Sequence, residues 1–209
     1  MKYTHLIWDF DGMLFNTYPR MATAFSTALR DFGFDAPSED VMARIKKSVR
    51  KASHDYAEQL GIDADALFRQ YHLREHAMPP ETMKPYPGIP ELLRDAARMG
   101  QKHYLYTHRD ASALTALEAE GIRDLFSDAI IETDGFPAKP APDALLNLMK
   151  RCALCPSECL MLGDRSIDVE AARNAGIAGC LFDPEHFYDD FENDLRTDSV
   201  NGLRALLGL

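Results

Sequence analysis

Short apolar runs and longer amphipathic stretches alternate along most of this chain. Runs at residues 6–8, 104–107, 129–131, 160–162 and 179–182 are too brief for helices and lack a polar face. That pattern predicts strands buried on both sides. Between most of them, apolar residues recur at helical spacing over 89–99, 111–120, 143–151 and 167–175. Gly100, Gly121 and Gly176 follow three of these stretches, where glycine closes a helix without a Cβ clash. Strand alternating with helix predicts an α/β fold, a doubly wound parallel sheet of Rossmann-like form with helices on both faces.

One segment interrupts the alternation. Met21, Phe25, Leu29 and Phe32 recur at helical spacing, followed by helical patterns over 39–47, 52–60 and 64–76. Gly33 and Gly61 punctuate these patterns and Pro79-Pro80 closes them. An all-α helical domain over residues 17–81 is therefore expected, inserted after the first strand. Residues 1–16 and 82–209 then form the α/β core.

Composition narrows the function. The 209 residues carry a formal charge of −10 with no basic block. Nucleic-acid binders draw affinity from Lys and Arg neutralising phosphates, so a polymer of that kind is excluded as partner. The apolar run at 6–8 is too short for a signal peptide, and no stretch approaches the roughly 20 apolar residues of a membrane span. A cytoplasmic enzyme, monomer or homodimer, is expected. Cys152, Cys155 and Cys159 are spaced C-x2-C-x3-C. They fall at a helix end, before a proline and at a strand start, so reduced thiols are expected there rather than a metal centre.

Four motifs carry candidate chemistry. Asp9-Phe10-Asp11-Gly12-Met13-Leu14 follows the first strand, and two carboxylates there can face one crevice if the chain curls at Gly12. Gly163-Asp164-Arg165-Ser166-Ile167-Asp168 follows the fourth strand. Taken singly, the first is also compatible with a polar turn and the second with a helix cap. Together they predict a cluster of acids that repel one another unless a hard cation such as Mg2+ sits among them. Thr107 ends the second strand, with His108 after it, a place suited to phosphate oxygens. Lys139-Pro140-Ala141-Pro142-Asp143 offers an ammonium on a stiff approach to a helix. Arg109 and Arg165, beside motif residues, are further candidates for anion binding or ion pairing.

These motifs, in this order and with Ala171-Ala172-Arg173-Asn174-Ala175-Gly176 after the last, resemble those of haloacid dehalogenase-like hydrolases. The resemblance is to the branch with phosphoglycolate phosphatase and β-phosphoglucomutase, which carries a helical cap after the first motif. It implies Asp9 as nucleophile and metal ligand. Asp11 would be the general acid and base, its carbonyl also on the metal. Thr107 would bind phosphate, Lys139 neutralise charge, Asp164 ligate Mg2+, and Asp168 support the ion directly or through water. The implied reaction is Mg-dependent hydrolysis of a small phosphorylated metabolite through an aspartyl-phosphate.

The chain departs from that pattern in places. Met13 replaces the usual Thr, Asn16 a common Asp, and His108 a common Asn. The His108 backbone N–H is expected to meet phosphate in the Asn slot, and its ring to contact substrate or sense pH only on a sharper reading. In Ser48-Val49-Arg50-Lys51, between two expected helices, Arg50 is the candidate for contact with the rest of the substrate. A phosphomutase of the β-phosphoglucomutase type is the alternative activity. A dehalogenase is disfavoured because halide leaves without a proton, and a silent binding protein because the acids and Lys139 are intact.

Overall fold

The computed structural model describes residues 2–193 and 195–209. The chain divides into two compact units, Met1–Phe15 with Pro85–Leu209, and Asn16–Lys84.

The chain enters the sheet as β1 (His5–Trp8), then makes a tight turn and leaves for the helical unit. There it forms α1 (Tyr18–Asp31), α2 (Ser38–Lys47), α3 (Val49–Leu60) and α4 (Ala64–His76). Met21, Phe25, Leu29, Val41, Ile45, Ala52, Tyr56, Leu67 and Tyr71 fill the core between them. Phe25 packs its ring against both Tyr56 and Tyr71, each at 5.7 Å. Phe32, expected on the same buried stripe, is instead 37% exposed, because α1 stops at Asp31 and the chain turns at Gly33. Within this unit the guanidinium of buried Arg20 donates to Glu75 Oε1 at 2.7 Å and to the carbonyls of Glu75, Met78 and Pro79. It ties α1 to the end of α4 and to the turn that follows it.

Back in the first unit the order is α5 (Ile89–Arg98), β2 (Lys102–Tyr106), α6 (Ser112–Ala119), β3 (Phe126–Ile130), α7 (Asp143–Arg151) and β4 (Cys159–Gly163). There follow α8 (Ser166–Asn174), β5 (Ala178–Phe182), β6 (Arg196–Thr197) and α9 (Val200–Leu207). Every strand pairing is parallel, and the order across the sheet is β3-β2-β1-β4-β5-β6. The expected α/β class with an inserted all-helical unit is what forms. β2 stops at Tyr106, one residue before the expected end at Thr107. β6 was not anticipated: at two half-buried residues it has no apolar run to reveal it.

Strand β1 lies at the centre. Leu6, Ile7 and Trp8 are wholly buried, with Ile7 registered beside Tyr104 on one side and Met161 on the other. The chain winds outward from β1 to β3, then returns to place β4 on the other flank of β1. That reversal leaves a crevice past the carboxyl ends of β1 and β4, where neighbouring connections diverge. Among the described residues no helix is long and apolar enough to cross a membrane.

A buried histidine helps lock the central strands. Trp8 Nε1 donates to His103 Nδ1 at 3.0 Å, and His103 Nε2 lies 3.0 Å from the Leu93 carbonyl of α5. Indole only donates and a carbonyl only accepts, so the ring is neutral with its proton on Nε2. Burial lowers its pKa from 6.5 to about 4. In that window the unfolded chain binds the extra proton and the folded one does not. The stabilisation is complete above pH 6.5 and is lost as pH falls toward 4. By pH 5 the loss attributable to His103 is expected to be about 2 kcal/mol. Denaturant unfolding at pH 7 and pH 5 measures it, with the non-titrating His103→Gln as reference. Equal pH slopes for the two proteins would rule the linkage out.

Candidate active site

The turn after β1 presents the first two acids. Phe15 N and Leu14 N both donate back to the Phe10 carbonyl, at 3.0 and 3.1 Å, and the Phe10 and Phe15 rings stack at 4.4 Å in full burial. Gly12 makes the reversal with a φ of 76°, a conformation that side chains resist. Met13, where Thr is usual, is completely buried beneath the turn.

Asp9 and Asp164 follow adjacent strands, with Trp8 in register with Leu162, one residue before Asp9 and two before Asp164. Both carboxylates are buried, as is Asp168 in the first turn of α8. Oxygens of Asp9, Asp164 and Asp168 all lie within 4.8 Å of one another. The Lys139 ammonium enters this group from the loop before α7. Its Nζ is 2.7 Å from Asp168 Oδ1 and 3.0 Å from Asp9 Oδ1, and it donates to the Tyr106 carbonyl at 3.0 Å. The same ammonium lies 4.5 Å from the centre of the Tyr106 ring.

The carboxylates of this cluster are not held alike. Burial raises the Asp9 carboxyl, Lys139 opposes the rise, and Asp168 adds to it. Burial alone would raise Asp168 too, but Lys139, Arg165 and two hydrogen bonds hold it below the ordinary range. One of those bonds is the Arg165 N–H donating to Asp168 Oδ2 at 3.1 Å. For Lys139 itself, burial would favour the neutral amine, yet Asp168 and Asp9 keep it charged. Arg165 adds a more distant cation, 3.9 Å from both Asp9 Oδ2 and Asp164 Oδ1. Asp9 Oδ2 is buried with no hydrogen-bond partner. An all-oxygen donor set, excess negative charge and an unsatisfied carboxylate oxygen fit a hard divalent cation.

Asp11 is placed differently. Its carboxylate, 20% exposed, is gripped by Arg109, with Nη2 at 2.8 Å and Nε at 3.0 and 3.1 Å. Thr107 is buried, and its backbone N–H is committed to the Ile130 carbonyl. The Thr107 hydroxyl accepts from Arg109 N at 3.0 Å, so its own hydrogen remains to be donated. The His108 side chain lies on the exposed part of the loop, its Nε2 accepting from the Lys139 backbone N–H. Arg50 belongs to the helical unit. It lies in the first turn of α3 rather than in a loop, because Ser48 caps the helix three residues earlier than expected from the pattern. Its guanidinium pairs with Asp65 at 3.0 Å and covers the Phe68 ring. The cysteines do not converge: Cys152 faces Asp128, Cys155 meets Ser157, and Cys159 bonds the Cys155 carbonyl.

Gly163 and the Tyr106 carbonyl are the parts of the site that sequence reasoning passed over. A Cβ on Gly163 would overlap the Asp168 side chain, so glycine at the tip of β4 is what admits that carboxylate. The glycine is visible in the sequence as the residue before Asp164. The Tyr106 carbonyl has no signal at all, since every residue has one.

A crevice at the strand ends of a parallel α/β sheet, with acids after two adjacent strands and a buried lysine among them, defines the class. A model of the haloacid dehalogenase-like hydrolase family matches residues 6–182, and the chain belongs to that family. It is 32% identical over 182 residues to a phosphoglycolate phosphatase of Pseudomonas savastanoi, covering 83% of this chain. The match spans 66% of that relative's length, just under two thirds. It is 26% identical to the pyrophosphatase PpaX of Listeria monocytogenes over 99% of this chain and 97% of that one. The crystal structure of a hydrolase from Streptococcus pneumoniae matches with a TM-score of 0.69 and 28% identity, over the whole of both chains.

Replacing Gly163 by Ala is expected to lower stability by about 1–3 kcal/mol, the usual range for overpacking. Chemical unfolding measures it. A variant as stable as the parent would mean that Asp168 has room to move aside.

Proposed function

We propose that this hydrolase is a Mg-dependent phosphatase acting on a small phosphorylated metabolite, with Asp9 as the nucleophile. The observation that carries the proposal is Asp9 itself. It is a buried carboxylate with an unsatisfied oxygen, sharing an ammonium with Asp168 and lying next to Asp164 on the adjacent strand end. The names of the relatives in two organisms, a phosphoglycolate phosphatase and a pyrophosphatase, support small anionic phosphorylated substrates.

In this proposal Asp9 and Asp164 hold Mg2+, with the Asp11 carbonyl as a further ligand and Asp168 in support. The ion supplies positive charge against the phosphate oxygens. A carboxylate approaching a phosphate dianion meets strong repulsion, and Lys139 offsets it with a full charge that burial leaves poorly screened. The Thr107 hydroxyl donates to a phosphate oxygen. Asp9 attacks phosphorus as the bond to the leaving oxygen breaks, and Asp11 delivers its proton to that oxygen. The Asp11 carboxylate then takes a proton from water, which attacks the aspartyl-phosphate and releases inorganic phosphate. Protonation of Asp11 requires its pair with Arg109 to open. A phosphate dianion is a competing partner for that guanidinium.

The test is phosphate release from p-nitrophenyl phosphate and a panel of phosphorylated metabolites. Wild-type turnover is expected to vanish with chelator and return with Mg2+. Asp9→Asn is expected to reduce kcat by at least about 10⁴-fold, as loss of a nucleophile does. Turnover near wild type in that variant would defeat the assignment. Adding β-glucose 1-phosphate to the panel separates hydrolysis from return of the phosphoryl group to a sugar hydroxyl.

A further inference from the structure

The imidazole of His108 takes no part in the chemistry proposed for Asp9 and Asp11, yet it bears on the lysine beside them. In Lys139-Pro140-Ala141-Pro142 only Lys139 and Ala141 retain a backbone N–H, since proline has none. Ala141 spends its N–H inside the turn, on the Ala138 carbonyl at 3.0 Å. The Lys139 N–H is therefore the one backbone donor left to tie residues 139–142 to a neighbouring element. It donates to His108 Nε2 at 3.0 Å. From the other side, Asn174 of α8 donates to the Pro140 carbonyl at 2.9 Å. Two residues before His108, the Tyr106 carbonyl accepts from Lys139 Nζ. The end of β2 thus grips the lysine twice, at its amide and at its ammonium.

We propose that His108 is a positioning residue that fixes Lys139 through its backbone amide, acting as a neutral imidazole with the proton on Nδ1. The proposal rests on the role assigned to Lys139 in the phosphatase reading. A lysine carries its charge at the end of a flexible four-carbon stem, so the placement of its Cα decides how tightly the ammonium is aimed. An amide N–H only donates, which obliges Nε2 to accept and leaves the proton on the other nitrogen. The charges around the ring favour the same state. Its pKa is lowered by surrounding protein and by Lys139 and Arg165, against weaker pulls from Asp168 and Asp11. The donated bond acts in the same direction as burial and the two cations.

A misplaced ammonium should harm the transition state more than substrate binding. His108→Leu is expected to lower kcat about tenfold while KM changes less than about twofold. His108→Gln places a carbonyl oxygen near the position of Nε2 and should recover most of the loss. His108→Asn ends near Nδ1 and should not. Thermal unfolding of each variant reports whether it folds. Long-range 1H–15N spectra of the wild-type enzyme need no variant, and should show His108 Nε2 unprotonated and Nδ1 protonated. An Nε2–H tautomer would overturn the proposal, as would a wild-type kcat in folded His108→Leu when Lys139→Ala is inactive. Full turnover in Lys139→Ala would instead bring down the phosphatase reading, and this inference with it.

Discussion

The buried ammonium of Lys139 is the constraint on which the site depends. Removing a charge from water is expensive, and it is tolerated here only because two carboxylates and a carbonyl meet it at 2.7 to 3.0 Å. Such an arrangement is poor evidence for stability, since apolar side chains of similar size would serve a core at least as well. Its value lies in the imbalance it leaves. One ammonium is shared unequally, Asp168 taking the shorter contact and Asp9 keeping an unsatisfied oxygen. Of the two carboxylates on the ammonium, Asp9, the proposed nucleophile, is the less compensated.

Sheet topology explains why these groups meet at all. Asp9 and Asp164 lie far apart in sequence, and the strand order brings β1 and β4 side by side. Local devices then complete the aim. Gly12 turns the chain after Asp9, Gly163 makes room for Asp168, and the Arg165 N–H holds the second Asp168 oxygen. Deeper in the same sheet, the Trp8–His103–Leu93 relay joins β1, β2 and α5 beneath the site. The relay and the acid cluster therefore share the central strand β1.

The two carboxylates of the first motif are separated by environment as well as by position. Asp9 is buried beside an ammonium on a stiff loop, whereas Asp11 is partly exposed and held by Arg109. A nucleophile needs a fixed place and a low affinity for protons at the moment of attack. A proton carrier needs access and the freedom to change partners. Asp9 has the fixed place, though burial raises its carboxyl against the pull of Lys139, and Asp11 has the access, so the turn suits the roles proposed for them.

Much of this was legible in the chain itself. Five of the strands, the helices that alternate with them and the all-helical insert follow from apolar periodicity, because burial on one or both faces writes itself into residue spacing. The motif acids and Lys139 stood out as candidates because they recur together in one order, although each alone also fits a turn, a helix cap or a loop. Periodicity was silent where burial does not repeat. It missed the two-residue β6, the early start of α3 at its Ser48 cap, and the exposure of Phe32 beyond the end of α1. Only the tertiary structure decided the partners: Arg109 on Asp11, Arg20 on Glu75, His103 on Trp8, and His108 on the amide of Lys139. Those pairs join residues from 31 to 98 positions apart. Sequence spacing carries one element's own geometry, whereas contacts of that span depend on how the elements pack.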